Sequence, residues 1–249
     1  MRGLVLAAGR GSRLSAQTTD RPKALIEVGG RSLFDRQVAA LRAAGATEVG
    51  VVAGWQAERF DAYAGRVFVN AGWDRGTMVG SLLTAAEWLA EETVVVGYGD
   101  IVYSAETVRA LDRSGAPLAI SYDPDWLALW RSRFTDPLAD AETFSRDASG
   151  HLTEIGARAT HLDEIKGQYM GLLRFTPAGW AEARRVIGEA PAGGVDMTGL
   201  LSRIVAAGRL PITTVPTAGP WFEFDQPSDL ELGRKVIDWL DDEAAKDSR

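Results

Sequence analysis

The sequence has no cysteine, and it contains only two histidines, His151 and His161, and four lysines. Without cysteine the chain can form no disulfide framework, no zinc–thiolate site and no thiol nucleophile. Two histidines also argue against a histidine-based metal centre or catalytic triad. Two of the lysines, Lys23 and Lys166, lie inside the body of the chain and are candidates for a functional role.

Long apolar segments and an excess of positive charge are also missing. No apolar run reaches the length of a membrane-spanning helix, and the first run, which ends at Ala8, is too short and wrongly flanked for a signal peptide. The net charge of -7 argues against broad electrostatic attraction to nucleic acid or to an anionic membrane, although a local basic pocket is compatible with it. We expect a cytoplasmic protein with no nucleic-acid or membrane partner.

Strand and helix patterns alternate over the first 115 residues. This alternation predicts an α/β fold with a mainly parallel sheet and helices on both faces. The predicted strands cover 3–8, 48–54, 66–70 and 93–101, and the predicted helices cover 32–44, capped by Ser32, and 80–92. Ligands of such sheets bind beyond the carboxyl ends of the strands, so the loop after Ala8 and the region of Asp100 should share one edge.

The pattern changes in the second half of the chain. We predict strands over 117–123 and 167–175, a β-hairpin over 142–156 around "DASG", and helices over 177–187, over 196–208 and from Ser228 onward. No repeat or linker interrupts the chain. We therefore expect one domain over 1–249, with a nucleotide-binding half (1–115) and an acceptor-binding half (116–249).

The stretch "LVLAAGRGSRL", Leu4 to Leu14, places Gly9 and Gly11 directly after a buried strand. Such a loop can point backbone N–H groups at an anion, although an ordinary tight turn would also need small residues. The stretch lacks the third glycine of a dinucleotide fingerprint, and no Gly-Lys-Ser/Thr ending occurs in the chain. Arg13 and Lys23, ten residues apart, can supply two cations to a polyphosphate, as phosphoryl transfer requires.

The pair of motifs "LAAGRGSRL" and "RPKAL" resembles the signature of nucleotidyltransferases, which join a nucleoside triphosphate to a sugar phosphate or related phospho-acid and release pyrophosphate. The resemblance implies a Rossmann-like, mixed and mainly parallel sheet of the nucleotide-diphospho-sugar transferase type. It implies catalytic roles for Arg13 and Lys23. The nucleotide-binding residues that it suggests are Ala7, Ala8, Gly9, Gly11, Ser12, Asn70, Gly76, Thr77 and Ser81.

Two aspartates are candidates for binding Mg²⁺, which nucleotidyl transfer normally uses. Asp100 ends the apolar run "TVVVGYGDI", where the family carries its metal aspartate. In the family a second aspartate follows a late strand, and Asp225 in "WFEFDQPSDLE" occupies that position. Glu223 and Asp229 are alternatives, of which Asp229 also suits a capping role at the last helix.

Several stretches of the second half, among them "LTEIG" and "DEIKGQYMGLLRFTP", are most similar to cytidylyltransferases that activate phosphonates, and less so to phosphocholine cytidylyltransferases. This similarity implies that the protein is an enzyme that transfers CMP from CTP to a small phosphonate. Candidate acceptors are phosphonoformate, 2-hydroxyethylphosphonate and 2-aminoethylphosphonate. The alternatives are a phosphocholine or sugar-1-phosphate nucleotidyltransferase, or a nucleotide-binding regulatory domain without turnover.

The acceptor pocket is harder to predict. A dianionic acceptor next to a triphosphate should need further cations, so we expect an acceptor site that includes Arg131, Arg133, Lys166 and Tyr169. An acceptor with an amine would instead need a carboxylate, for which the sequence offers Asp125, Asp136, Glu164 and Asp196. Phosphocholine would need an aromatic and acidic box, for which it offers Trp126, Trp130, Tyr169 and Trp221. The sequence leaves the oligomeric state open, and a homo-oligomer is compatible with it.

Overall fold

A seven-stranded mixed sheet forms the centre of the protein. The computed structural model describes residues 1–63, 65–190 and 194–247. The strands are β1 (Arg2–Ala7), β2 (Glu27–Val28), β3 (Arg31–Ser32), β4 (Val49–Ala53), β5 (Arg66–Val69), β6 (Val94–Tyr98), β7 (Ile101–Tyr103), β8 (Leu118–Asp123), β9 (Glu142–Arg146), β10 (Leu152–Arg158), β11 (Gln168–Phe175), β12 (Thr213–Pro216) and β13 (Trp221–Glu223). The α-helices are α1 (Leu33–Ala43), α2 (Met78–Leu83), α3 (Ala86–Glu91), α4 (Ala105–Arg113), α5 (Trp126–Arg133), α6 (Pro177–Gly188), α7 (Met197–Ala207), α8 (Asp229–Leu232) and α9 (Arg234–Asp247).

The strand order in the central sheet is β12-β8-β11-β6-β1-β4-β5. β1 runs parallel to both β4 and β6, and β12 runs parallel to β8. β11 is antiparallel to both of its neighbours, β6 and β8. The mixed, mainly parallel sheet predicted from the sequence is therefore confirmed, and strands from both predicted halves of the chain share it.

Both faces of the sheet are covered by helices, as expected for strands such as β1 whose central residues are apolar on both faces. Along β1, Leu4 and Leu6 point into one core cluster, which also contains side chains of α2, α3, α6 and α7. Val5 and Ala7 point into the opposite cluster, with side chains of α1, α4 and α5. Successive side chains alternate between the faces of a strand, so a continuous apolar run supplies both cores.

Three predicted elements form with small changes. α1 begins after Ser32, whose hydroxyl accepts a hydrogen bond from the Asp35 amide at 2.9 Å, as its predicted capping role requires. The helix predicted over 80–92 is divided into α2 and α3. At the break the Thr84 hydroxyl donates to the Ser81 carbonyl, and the Ala85 amide donates to the Leu82 carbonyl three residues earlier, as in a tighter helical turn. The strand predicted over 93–101 is divided by a turn at residues 99 and 100 into β6 and β7.

The carboxyl edge of the sheet is covered by additions from the second half of the chain. β9 and β10 form the predicted hairpin, and they pack against α7. β13 pairs antiparallel with β7, and Phe222 and Phe224 pack with Leu14, Val102 and Ile237 in a third cluster under α9. None of the helices in the described ranges is long and apolar enough to cross a membrane.

Candidate active site

The loop after β1 is shaped by a glycine in the left-handed region. Gly11 has φ 73°, and a Cβ placed on it would lie 2.7 Å from Cβ of Lys23. Only glycine tolerates both the backbone angle and this approach. The loop then enters a 3₁₀ helix, Ser12–Thr18, which is anchored by the fully buried Leu14. Gly11 therefore lets the segment that carries Arg13 lie directly against the segment that carries Lys23.

Strand pairing brings the two predicted metal aspartates together, although they are far apart in the sequence. Asp100 lies in the turn before β7, and Asp225 follows β13 by two residues. Ile101 of β7 pairs with Glu223 of β13, and the Phe224 amide donates to the Asp100 carbonyl at 2.9 Å. The β7–β13 ladder thus sets the distance between the two carboxylates.

Lys23 lies between these two aspartates. Its Nζ donates to Asp100 Oδ2 at 2.8 Å and to Asp225 Oδ1 at 2.6 Å. Arg13 Nη1 donates to the other oxygen of Asp225, Oδ2, at 2.5 Å. The Lys23 side chain is only 11% exposed, whereas the Arg13 side chain is 74% exposed. The structure therefore brings together all four residues for which the sequence predicts catalysis or metal binding. They form a cluster in which a buried lysine and a solvent-accessible arginine contact two carboxylates.

Charge and burial act against each other in this cluster. Burial disfavours the charged amine of Lys23, but the attraction of Asp100 and Asp225 outweighs it and raises the pKa of Lys23 above the ordinary lysine value. Burial likewise opposes ionisation of Asp225, but Lys23 and Arg13 outweigh it and hold the pKa of that carboxyl below its usual range. At neutral pH the cluster therefore contains a lysine that stays charged in a buried position.

Asp100 carries a buried atom that lacks a partner. Asp100 Oδ1 is shielded from solvent and has no hydrogen-bond partner among the described residues. A buried carboxylate oxygen normally needs a donor or a cation. Two neighbouring carboxylates, one of which has an oxygen without a donor, suit a hard divalent cation. Such a cation takes its remaining ligands from substrate phosphates and water. The residues present at this edge therefore fit the expected cation.

A first cavity of about 210 Å³ opens beside Lys23 and Asp100. Seven of the nine residues with a predicted nucleotide role line it: Ala7, Ala8, Gly9, Gly11, Gly76, Thr77 and Ser81. Of the other two, Ser12 is exposed outside the lining, and Asn70 is buried behind it, with its Nδ2 donating to Ser81 Oγ at 3.1 Å. Sequence reasoning missed Trp73 and Met78, which also line the cavity, although both lie in the quoted stretch "NAGWDRGTMVGSL".

A second cavity of about 260 Å³ lies on the other side of the cluster. Arg13 and Asp225 line it, and Met78 lines both cavities. Its walls include four aromatic side chains, Tyr98, Trp130, Tyr169 and Trp221. Besides Asp225 it is lined by four carboxylates: Asp140, Glu142, Asp196 and Glu223. Of the four residues predicted to bind the acceptor, Tyr169 lines this cavity.

The prediction that Arg133 belongs to an acceptor pocket is wrong. Its side chain is 1% exposed, and its guanidinium forms a bidentate pair with Asp229 at 3.0 Å and a further contact with Glu223 at 3.0 Å. Asp229 Oδ2 also accepts the backbone amides of Asp225 and Gln226, each at 2.8 Å. Arg133 and Asp229 therefore form a buried support beneath Asp225. Asp229 serves this loop and is no competitor for the metal position.

The predicted basic pocket is not found in the described part of the chain. Arg131 and Lys166 are both exposed, and neither lines the second cavity. Arg131 lies two residues before Arg133 on α5, where helical geometry turns it away from the buried side. The residues that sequence reasoning missed are the acids Asp140 and Glu142. Asp196, which was considered as a partner for an amine, does line the cavity. The only available sequence signal was the position of these acids at the start of a predicted hairpin and helix.

A Rossmann-like sheet that presents a lysine between two carboxylates, with a cavity on each side, defines a nucleotide-dependent phosphoryl-transfer enzyme. The particular family is given by comparison with known proteins: residues 3–160 match the model of the MobA-like NTP transferase domain, and the chain belongs to this family. It is a nucleotidyltransferase, as the motifs in the sequence predict.

Several relatives of the chain are named for reactions of CTP or CMP. The chain is 34% identical over 186 residues to a CTP:phosphoglutamine cytidylyltransferase of Campylobacter jejuni, which covers 71% of this chain and 73% of that protein. It is 27% identical over 255 residues to a CMP-5'-(3-aminopropyl)phosphonate synthase of Streptomyces rubellomurinus. That alignment covers 92% of this chain but only 37% of the longer relative.

The fold is also that of solved nucleotidyltransferases. The inositol-1-phosphate CTP transferase of T. maritima superimposes with a TM-score of 0.76 over 96% of this chain and 94% of that one, at 16% sequence identity. At this identity the similarity shows the fold alone. It confirms the nucleotide-diphospho-sugar transferase type that the sequence motifs imply.

Proposed function

We propose that the protein transfers CMP from CTP to a small phosphonate and releases pyrophosphate. One observation carries the proposal: Lys23, which lines the first cavity, contacts Asp225, which lines the second. The first cavity has the glycine-rich loop expected for a triphosphate, and the second has room for a small acceptor. A reaction between two separately bound anions needs this arrangement, because each must reach the same cation.

In the proposed reaction a phosphonate oxygen displaces pyrophosphate in line at the α-phosphorus, and residues of the cluster stabilise the charge that develops. A phosphonate oxygen is ionised at neutral pH, so it can attack the α-phosphorus without a general base. The bond from the α-phosphorus to the pyrophosphate oxygen breaks as the new bond forms. Lys23, fixed by two carboxylates, and Arg13, at the mouth of the second cavity, are placed to stabilise the charge that develops on the phosphate oxygens.

Nucleotidyltransferases of this kind typically use a divalent metal, and we propose Mg²⁺. Asp100 and Asp225 would hold it, since Asp100 Oδ1 is buried without a partner and Asp225 is kept ionised. Bound there, the ion would neutralise charge on the phosphates. The Asp100→Asn variant keeps the shape of the turn and removes the charge, and we expect its turnover to become insensitive to added Mg²⁺.

The choice of CTP and of a phosphonate is supported by the relatives. Both named relatives form a CMP-linked product or use CTP, and one of them is named for an aminoalkylphosphonate. The other is named for phosphoglutamine, so a phosphorylated amide or amino acid is the alternative acceptor.

The test is pyrophosphate release with Mg²⁺, each of CTP, UTP and dTTP, and a panel of phosphonates, phosphocholine and glucose 1-phosphate. We expect release with CTP and at least one phosphonate. Release with glucose 1-phosphate alone would replace the proposal by the sugar-phosphate alternative. Tight CTP binding without release for any acceptor would indicate a regulatory binding domain.

A further inference from the structure

Three acidic side chains line one part of the second cavity, and they accept hydrogen bonds from Trp130, Thr198 and the Gly199 amide but form no ion pair within the described residues. Glu142 lies at the start of β9, Asp140 lies two residues before it, and Asp196 caps α7. Within the described residues, the charged groups that act most strongly on Glu142 are Asp196 and Asp140, both acidic. Burial and these like charges raise the pKa of Glu142 above the ordinary glutamate value. This end of the cavity is therefore incomplete without a cation.

The same cavity contains a buried amide oxygen that has no hydrogen-bond donor. Gln168 Oε1 is shielded from solvent and has no hydrogen-bond partner in the described part of the chain. Gln168 is the first residue of β11, and it lines the cavity with Tyr169. A buried amide oxygen without a donor is costly, and one that lines a cavity indicates that the ligand brings the donor.

A metal ion is a poor candidate for this place. Asp140, Glu142 and Asp196 do not form a described group of three metal ligands, whereas the proposed Mg²⁺ position needs only two carboxylates because substrate phosphates and water would supply the other ligands. The walls are also aromatic: the rings of Tyr98 and Tyr169 meet edge to face with centroids 5.9 Å apart, and those of Trp130 and Trp221 lie 6.2 Å apart. Aromatic faces attract organic cations and exclude the water that a hydrated metal keeps.

The charges in the cavity are separated into two groups. Arg13 interacts most strongly with Asp225, next to Lys23, and more weakly with Asp140 and Glu223, whereas the charged groups that act on Glu142 are Asp196 and Asp140. One part of the cavity therefore offers cations to a phosphorus group, and another offers anions and ring faces. A ligand that satisfies both has a negative end and a positive end.

We infer that the acceptor carries an organic ammonium group, bound by Glu142 and Asp196 with Gln168 accepting a hydrogen bond from it. This inference rests on the proposed function, since it takes the second cavity to be the acceptor site. It replaces the basic acceptor pocket expected from the sequence. An acceptor with a second acidic group, such as phosphonoformate, would meet like charge here, and 2-hydroxyethylphosphonate would leave the carboxylates unpaired.

The experiment uses phosphonates that differ only in the terminal group: 2-aminoethylphosphonate, 2-hydroxyethylphosphonate and phosphonoacetate. Phosphocholine is added as a cation that has no N–H to donate to Gln168. We expect kcat/KM for 2-aminoethylphosphonate to exceed that for the hydroxyl compound by about 10- to 100-fold, as for a charged hydrogen bond. Glu142→Gln should remove most of this preference by lowering kcat/KM for the amino compound much more than kcat/KM for the hydroxyl compound. Glu154→Gln, the same change at an exposed position of β10 on the same hairpin, should leave the preference intact.

The outcomes separate the two proposals. Equal use of the amino and hydroxyl compounds by the unmodified protein, or an equal loss for all acceptors in Glu142→Gln, overturns the ammonium site and leaves the proposed function standing. Absence of turnover with every acceptor overturns the proposed function, and calorimetric titration with the same phosphonates then tests the site by binding alone. Binding of 2-aminoethylphosphonate about tenfold tighter than 2-hydroxyethylphosphonate, with the difference lost in Glu142→Gln, supports the site; equal binding rejects it.

Discussion

The two cavities meet at the contact between Lys23 and Asp225, but they are built in different ways. The first is lined by short continuous segments that directly follow β1, β5 and β6, with Lys23 added from the next turn. The second takes its lining from α5, β9, β11, the start of α7 and β13, which are widely separated in the chain. A site made of one or two loops leaves a motif in the sequence, whereas a site assembled from many elements does not.

The cavities also differ in what lines them. The first is lined mostly by small residues that let a ligand approach the backbone. The second is lined by large aromatic and acidic side chains that specify a ligand by shape and charge. A common nucleotide can be held by backbone geometry, while the acceptor must be distinguished by side chains. This division explains why the reaction class can be read more easily than the acceptor.

The largest effect is expected from the support beneath the second cavity. Arg133→Ala leaves Asp229 and Glu223 buried and unpaired, and it should lower the free energy of unfolding by about 3 to 5 kcal/mol. Urea denaturation followed by circular dichroism measures this. Arg131→Ala, two residues earlier and exposed, is the control and should change stability by less than about 0.5 kcal/mol. Equal stability of the two variants would contradict the supporting role of Arg133.

The junction of the cavities is tested by Lys23→Ala. Loss of a fixed cation that acts on the transition state should lower kcat by about 10²- to 10³-fold, with a much smaller effect on CTP binding. Kinetics give the first quantity and calorimetry with CTP the second. Lys235→Ala, at an exposed position of α9, serves as the control. A similar loss in CTP binding and in kcat would show that Lys23 contributes to substrate binding and does not specifically stabilise the transition state.

The smallest effect is expected in the first cavity, from Trp73→Ala. If the indole supports the base or ribose, its removal should raise KM for CTP about tenfold, within the range measured for stacking on aromatic side chains, and leave KM for the acceptor unchanged. Trp239→Ala, which alters a tryptophan that lines neither cavity, is the control. A change confined to the acceptor KM would mean that the two cavities have been assigned in the wrong order.

Much of the fold could be predicted from the sequence because its signals are local. The apolar runs of β1 and β6, the cap at Ser32 and the hairpin around "DASG" each depend on a few adjacent residues. The break between α2 and α3 was missed, since a single threonine within an otherwise helical pattern gives little warning. The short ladder between β7 and β13 was missed because strands of three residues carry almost no periodic signal.

The candidate site divides in the same way. Arg13, Lys23, Asp100 and Asp225 could be predicted to lie together because their motifs occupy fixed positions beside strands, and their side chains are in contact. The roles of Arg131, Arg133 and Lys166 were misjudged, since the sequence shows that a side chain is charged but does not show which way it points. On α5 a difference of two positions decides between solvent and the buried support.

The sequence by itself determined the class of the protein: a glycine-rich loop after a buried strand and a lysine ten residues beyond an arginine form the nucleotidyltransferase motif, and they need only local geometry to come together. The tertiary structure decided the character of the second cavity. Glu142, Gln168 and Asp196 come from three separate elements, and their charges act together only because β9, β11 and α7 pack around one space. Electrostatic interactions depend on distance in space, and separation along the chain does not reveal it.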